Sequence, residues 1–321
     1  MGNNKGRLYL LYRYLYQNTD ESHPASRRQI MNAVLGSDDT YTRNTVTSDI
    51  KELRDLGFDI PQIPDGTYLY YYLASREFEP QEIRLLMDAV SASKFITEKQ
   101  SKTLINKLRD FTSKYQAEKL TGNLYCSDIK PTNSSAFYDV GAINNAINEK
   151  KRIQFHYLEY SPDKKKHARR RGKLYENSPY GLVWDNDHYY MVGWSDEHDK
   201  IVQFRVDRMK DTEVIDAPAK RTRGFKMKDY VRENFQMYSG EREEVKLQCD
   251  NALMNAVIDK FGENVKTSRE TDDAFIAEVT VSPTPTFYAW VFEFGGRIKI
   301  VSPDSVREGF QKMLLGQEEN R

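Results

Sequence analysis

Three short apolar-periodic segments, followed at once by a strand–turn–strand pattern, fill the first part of this sequence, and few compact arrangements accept that order. Leu8, Leu11 and Leu15 recur at i, i+3 and i+7 and predict a helix over 7–17. A polar turn, 18–24, separates it from a second helix capped by Ser26, with Ile30, Val34 and Leu35 on its apolar side. Gly36, Ser37, Asp38 and Asp39 break that helix. Thr42 then stands as the N-cap of a third helix, which carries Val46, Ile50 and Leu53, runs to Leu56 and stops at Gly57. Residues 60–63 and 67–73 flank Pro64-Asp65-Gly66, a turn between two short strands. Helices joined by a short turn and closed by a hairpin have the spacing of a winged helix-turn-helix.

On the third helix, Asn44, Thr47, Ser48 and Lys51 lie on or near the side opposite the apolar stripe, with Arg43 at the N-terminal end. With Thr42 and Thr45 they supply the donors and acceptors that reading a DNA major groove requires. Arg27, Arg28 and wing tyrosines such as Tyr68 or Tyr70 are candidates for phosphate contacts. An ordinary amphipathic helix with a solvated polar face fits the same residues. Residues 1–75 carry eight Lys/Arg against nine Asp/Glu, and Asp49, Glu52 and Asp55 sit on the helix itself. DNA binding therefore needs a local surface with the acids turned away.

Beyond the hairpin, 79–120 reads as a linking helical element with Ile83, Leu86, Met87, Val90, Leu104, Leu108 and Phe111 as its apolar positions. A linker over 121–139 holds Gly122, Pro131, Asn133, Ser134 and Ser135. A short helix, 140–149, precedes strands at 153–157, 173–175, 180–184, 188–194 and 201–205, a pattern that suits a small barrel or curled sheet. From about 243 the order strand–helix–strand–helix suits a small α+β domain.

The formal net charge of zero hides an uneven distribution: 150–173 holds ten Lys/Arg against two acids, and 233–321 holds ten bases against sixteen acids. The first points to an anion-binding region. Within the strands, Arg205 and Arg208 bring two guanidiniums together, and a phosphate suits that pair. Gln203, Arg205 and Asp207 alternate to one side if the strand continues. His156, Tyr157, Tyr180 and Tyr190 would add hydrogen bonds and stacking faces. The plain alternative is Arg205 paired with Asp207 or Glu159, and tyrosines that only pack.

Other classes find little support. The chain lacks a Gly-rich phosphate loop, a His/Cys metal cluster and a Gly-x-Ser-x-Gly elbow, so neither catalysis nor a cofactor is expected. Two isolated cysteines, Cys126 and Cys249, make no disulfide framework. Without a long apolar run or an apolar leader, a cytoplasmic protein with no membrane partner is expected.

The stretch 179–194 (Pro179-Tyr180-Gly181-Leu182, then His188-Tyr189-Tyr190-Met191-Val192-Gly193-Trp194), followed by Phe204-Arg205-Val206-Asp207-Arg208-Met209, resembles the WYL domain family. The Trp-Tyr-Leu hallmark falls on Tyr189-Tyr190-Met191, and the Phe-Arg-x-Asp-Arg segment matches more closely. Thr45-Val46-Thr47-Ser48-Asp49-Ile50 resembles the winged helix-turn-helix of such bacterial regulators, with Ser48 where an arginine is usual. Trp290-Val291-Phe292-Glu293-Phe294-Gly295, then Ile300-Val301-Ser302-Pro303 and Val306-Arg307, is similar to their WCX extension. The resemblance implies a multidomain α+β protein: a winged helix-turn-helix over 1–78, a helical region over 79–136, an SH3-like β-barrel WYL domain over 137–216, a connector over 217–242 and a ferredoxin-like WCX domain over 243–321. It implies a homodimer that binds a double-stranded operator and senses a nucleotide or single-stranded nucleic acid, with phage-defence or DNA-damage genes as expected targets. By motif the effector site takes in Tyr190, Arg205 and Arg208; by strand position, His156, Tyr157 and Arg171. An RNA- or single-strand-binding accessory protein, using 150–173 as its surface, is the rival expectation.

Overall fold

A computed structural model of the chain describes residues 4–34, 42–127, 129–131, 135–233 and 242–316. Leu35, the helix breaker at Gly36, Ser37, Asp38 and Asp39, and the linker residues Asn133 and Ser134 lie outside the described residues. The chain divides into two units, 1–134 and 135–321.

The first unit opens with α1 (Asn4–Asn18), β1 (Ala25–Ser26), α2 (Arg27–Val34) and α3 (Arg43–Asp55), then the hairpin β2 (Gln62–Asp65) and β3 (Tyr68–Tyr71). The predicted stripes make the core: Leu11, Leu15, Ile30, Val46 and Ile50 are buried, with Tyr71 closing it from β3. Each such aliphatic side chain contributes about 1.5–3 kcal/mol on full burial. Strand β3 lies between β1 and β2, all antiparallel, so the hairpin is a wing attached to the helices. The turn falls later than expected. Pro64 pairs with Leu69 inside the strand, and Gly66, at φ +56°, and Thr67 form the two-residue connection. An edge strand tolerates Pro64 because its missing N–H faces away from the ladder.

The stretch expected as one helical element is three: α4 (Pro80–Ala92), α5 (Glu98–Arg109) and α6 (Lys114–Thr121). Capping residues cut it. Thr97 accepts from the Gln100 amide at 3.2 Å, and Ser113 from the Gln116 amide at 3.1 Å. Ile83, Met87 and Ile105 form their small core, whereas Leu86 is exposed because the α4 stripe runs through Ile83 and Met87.

The second unit begins with α7 (Ser135–Glu149) and β4 (Lys151–Tyr160), followed by β5 (Lys166–Ala168), a single turn α8 (Arg169–Gly172), β6 (Leu174–Asp185), β7 (His188–Ser195) and β8 (Lys200–Arg205). A 3₁₀ turn over Val206–Arg208 leads to β9 (Met209–Pro218) and α9 (Met227–Glu233). Strand β9 pairs with β4, and β4, β6, β7 and β8 follow in order, so the last strand returns across a 3₁₀ turn to the first, as in an SH3-like barrel. Phe204 packs edge to face with Phe155, Tyr157 and Tyr175 inside it, and Phe155 stacks on Tyr175.

Strand β6 joins what the sequence presents as two strands. Leu174–Asn177 pairs with β4 and Ser178–Asp185 with β7, and a bulge between Pro179 and Gly181 bends it from one half of the barrel to the other. Gly193 faces that bend: a Cβ there would overlap Asn177 and the Ser178 carbonyl.

Asp139 of α7 is buried near Asp211 and Thr212. Burial, with the Asp211 charge added, lifts its carboxyl from 3.8 to about 6. Thr212 favours the charged form but its hydroxyl completes no hydrogen bond, and Asp139 Oδ2 has no partner. Stability from this raised group is complete below about pH 4, falls as pH rises, and is gone above about pH 6 to 7. Asp139→Asn removes the fall. Urea unfolding is expected to give the variant an advantage at pH 8 larger than that at pH 4.5 by about 2–3 kcal/mol; an equal difference at both values would place the titration elsewhere.

The chain ends in β10 (Glu243–Asp250), α10 (Met254–Phe261), β11 (Lys266–Arg269), β12 (Ala274–Val281), α11 (Pro285–Glu293), β13 (Ile298–Ser302) and α12 (Asp304–Leu314). Sheet order β11-β12-β10-β13, antiparallel throughout, is that of a ferredoxin-like βαββαβ fold with one added helix. Two more strands and one more helix are present than the strand–helix–strand–helix pattern suggested, and of these the exposed β11 carries no apolar alternation.

Candidate functional site

Helix α3 is well delimited. Thr42 caps it, accepting from the Thr45 amide at 3.3 Å while the Thr45 hydroxyl accepts from the Thr42 amide at 3.3 Å. The Thr47 hydroxyl donates to the Arg43 carbonyl at 3.0 Å. These three hydroxyls thus serve the helix, and of the predicted reading residues Arg43, Asn44, Ser48 and Lys51 are exposed, with no side-chain hydrogen bond or ion pair among the described residues. At about 100° per residue they fall within an arc of about 140°. Arg28 is exposed and Arg27 half-buried at the start of α2, and Tyr68 is exposed on the wing.

The acids on α3 separate into two kinds. Asp49 is turned inward and paired with Arg7 of α1, through Nε at 2.7 Å and Nη2 at 2.8 Å. Glu52 and Asp55 are exposed near the C-terminal end of the helix. Arg54 turns back to the Ile60 carbonyl and does not join the reading face. The open polar surface is therefore most positive at the N-terminal half of the helix.

In the barrel, β8 stops at Arg205, so Asp207 and Arg208 sit on the 3₁₀ turn instead of continuing the strand alternation. Arg205 grips Asp207 with two hydrogen bonds, Nε to Oδ1 at 3.1 Å and Nη2 to Oδ2 at 2.8 Å. Its Nη2 also lies 2.9 Å from His188 Nε2 and 3.2 Å from Nδ1. Register explains the meeting. Tyr190 is opposite Arg205 across the β7–β8 pair, and His188, two residues earlier, shares its face. Arg208, half-buried beside them, makes no hydrogen bond or ion pair among the described residues.

Charge is finely divided in this cluster. Burial works against the Asp207 carboxylate, yet Arg205, with His188 and Arg208 behind it, holds it below the usual range. Burial and then the Arg205 charge push His188 down, so it is neutral near pH 7. The Tyr157 hydroxyl, raised by burial, accepts from the Arg205 amide at 3.3 Å.

The other predicted positions disperse. His156 points to the face opposite Tyr157, as strand alternation demands, and meets the Lys173 carbonyl at 3.2 Å. The Tyr180 hydroxyl accepts from the Thr222 amide at 2.9 Å, its ring against Phe225 and under Arg221. Arg171 is exposed on α8, left-handed at φ +58°. In the basic stretch, Arg152, Arg169, Arg170 and Lys173 bond to Asp196, Glu159, Glu197 and Glu197. The positive excess there is smaller than the count suggested. His188 was the residue missed; its place on the face of Tyr190 was the available signal.

Residues 139–214 match the WYL domain family and residues 241–315 the WCX domain family. Among solved structures the chain is similar to proteasome accessory factor B/C (PafBC) of Arthrobacter aurescens, at 17% identity and TM-score 0.28, covering 97% of this chain and 46% of that one. It thus spans about half the length of that protein. A CRISPR Cas-related protein aligns at 11% identity and TM-score 0.40, covering 74% of this chain and 79% of that one. No curated protein matches the sequence significantly. Among the described residues no helix is long and apolar enough to cross a membrane, and no group of three or more His, Cys, Asp or Glu is placed to hold a metal ion.

Proposed function

We propose that this chain, which carries a WYL domain followed by a WCX domain, is a ligand-responsive DNA-binding regulator of transcription. The observation that carries the reading is α3: an internally satisfied cap, a buried stripe and an exposed polar arc, next to a wing. Arg43, Asn44, Ser48 and Lys51 meet base edges and phosphates in a major groove, while Arg27, Arg28 and Tyr68 hold the backbone. Thr42, Thr45 and Thr47 present the helix. A homodimer places two such helices on an inverted repeat.

The effector is a nucleotide or single-stranded nucleic acid whose phosphate meets Arg205 and Arg208, with Tyr190 and Tyr157 beside them. Binding favours one arrangement of the dimer and changes operator affinity through the coupling between sites. The domain division is that read from the sequence, with the WCX domain in dimerisation or effector control.

The test is capture of sheared genomic DNA by the purified chain, with sequencing of what is retained. A few enriched inverted-repeat sites, one of them upstream of its own gene, are expected. Uniform or absent retention would shift the reading to an RNA- or single-strand-binding accessory protein acting through 150–173. The exposed, ion-pair-free Arg171 and Lys164 among the described residues favour that second reading.

A further inference from the structure

Four charged or chargeable groups meet at the end of β8, and they are unequally served. Arg205 has a carboxylate across its fork, Arg208 has none, and His188 stands 4.0 Å from Asp207 Oδ1 while touching Arg205. With His188 neutral, the two guanidiniums and Asp207 sum to +1, and Asp187 beside His188 offsets that charge. We infer that this cluster selects a terminal phosphomonoester over an internal phosphodiester, with Asp207 as a built-in competitor for Arg205 and His188 as the group that gains a proton on binding. The inference rests on the reading of this site as an effector site.

A phosphodiester carries one negative charge, the same as Asp207. Exchanging Asp207 for it on the Arg205 fork replaces one monoanion by another, and the carboxylate is already tethered two residues away. A terminal phosphate carries close to two negative charges near pH 7 and three peripheral acceptor oxygens. It can offer Arg205, Arg208 and an imidazolium a peripheral oxygen each, which a backbone phosphate with two free oxygens cannot. The dianion puts one more negative charge beside His188 than a monoanion does, and protonation of His188 from solvent offsets that difference. The groups facing His188 are Arg205, Asp207, Asp187 and Arg208; the two arginines oppose its protonation and the two carboxylates favour it. A bound dianion between the arginines reverses that balance.

The experiment is calorimetric titration of the full chain with short oligothymidylates carrying a 5′-phosphate, a 3′-phosphate or neither. One phosphorylated form is expected to bind at least about tenfold tighter than the unphosphorylated one, the effect of one added charge-assisted contact set. Near about pH 7.5 its heat should vary with buffer ionisation enthalpy in the sense of uptake approaching one proton, and its advantage should grow as pH falls from 8 toward 6. His188→Gln should abolish the uptake and the pH dependence. Asp207→Asn should strengthen the unphosphorylated oligomer and narrow the discrimination. Equal binding of all three with no proton uptake would overturn the inference and leave the nucleic-acid effector standing. Binding of none would remove both.

Discussion

Replacing Arg43, Asn44 and Lys51 with alanine is expected to abolish duplex binding, weakening it by about a thousandfold or more, while α3 stays folded. None of the three contributes to the cap, which Thr42 and Thr45 make between themselves, and none belongs to the buried stripe of Val46, Ile50 and Leu53. Their loss therefore acts on the groove surface and not on the helix. Each good base or phosphate contact is worth about 1–3 kcal/mol, so three together supply about 3–9 kcal/mol, a range whose middle lies above the roughly 4 kcal/mol that a thousandfold change represents. Removing two cations should also flatten the dependence of log affinity on log salt by about two. Fluorescence anisotropy with the captured operator, at several salt concentrations, measures both. Duplex binding that survives the triple substitution with an unchanged salt slope would take α3 out of the groove. The same variant tested on single strands separates the two functional readings, since a surface over 150–173 is untouched by it.

How much of this was legible beforehand depended on whether a residue's role is set locally or by its neighbours in space. The three helices and the wing were readable because apolar spacing, Thr42 and Gly57 are local signals that the folded unit uses unchanged. The split of 79–120 was missed although Thr97-x-x-Gln100 and Ser113-x-x-Gln116 were there, because the continuing apolar period concealed them. In the barrel, the sequence separates strands at 173–175 and 180–184, but a bulge accommodates Pro179, a residue without an N–H, and β6 continues through it. Strand β9 escaped because Lys210, Asp211, Glu213 and Asp216 interrupt its alternation. The cluster of Arg205, Asp207, Arg208 and His188 was half legible. The Phe-Arg-x-Asp-Arg segment pointed to Arg205 and Arg208, yet the 3₁₀ turn, which sends Asp207 back onto Arg205, is a tertiary consequence of closing the barrel. His188 enters only through cross-strand register, and His156 leaves for the same reason: the period of two puts it and Tyr157 on opposite faces.

The acid that most threatened the DNA-binding reading supplies the second large effect. Asp49 projects from α3 into the helical core, buried beneath Arg7, which reaches it from α1 with two hydrogen bonds. The pair neutralises a carboxylate that a phosphate would repel, and it pins α3 to α1. Arg7→Ala leaves that carboxylate buried without its partner, a loss of about 3–5 kcal/mol. Hydrogen exchange of the full chain is the suitable measurement, since it reads α1 and α3 without assuming that the two units unfold together. Amides of both helices are expected to exchange at least about a hundredfold faster, as a loss of about 3 kcal/mol or more requires, with the barrel strands unchanged. Asp49→Asn should cost less, because an amide oxygen still accepts from Arg7. The double substitution Arg7→Met with Asp49→Leu should recover most of the protection, because a buried ion pair replaced by apolar side chains of similar volume is often neutral. An Arg7→Ala variant with α3 protection within about threefold of wild type would show that solvent reaches Asp49 readily and that the pair does not set the helix. Recovery of stability in the double variant without recovery of operator affinity would instead assign Arg7 to the orientation of α3, which is the part of the pair's role that bears on reading DNA.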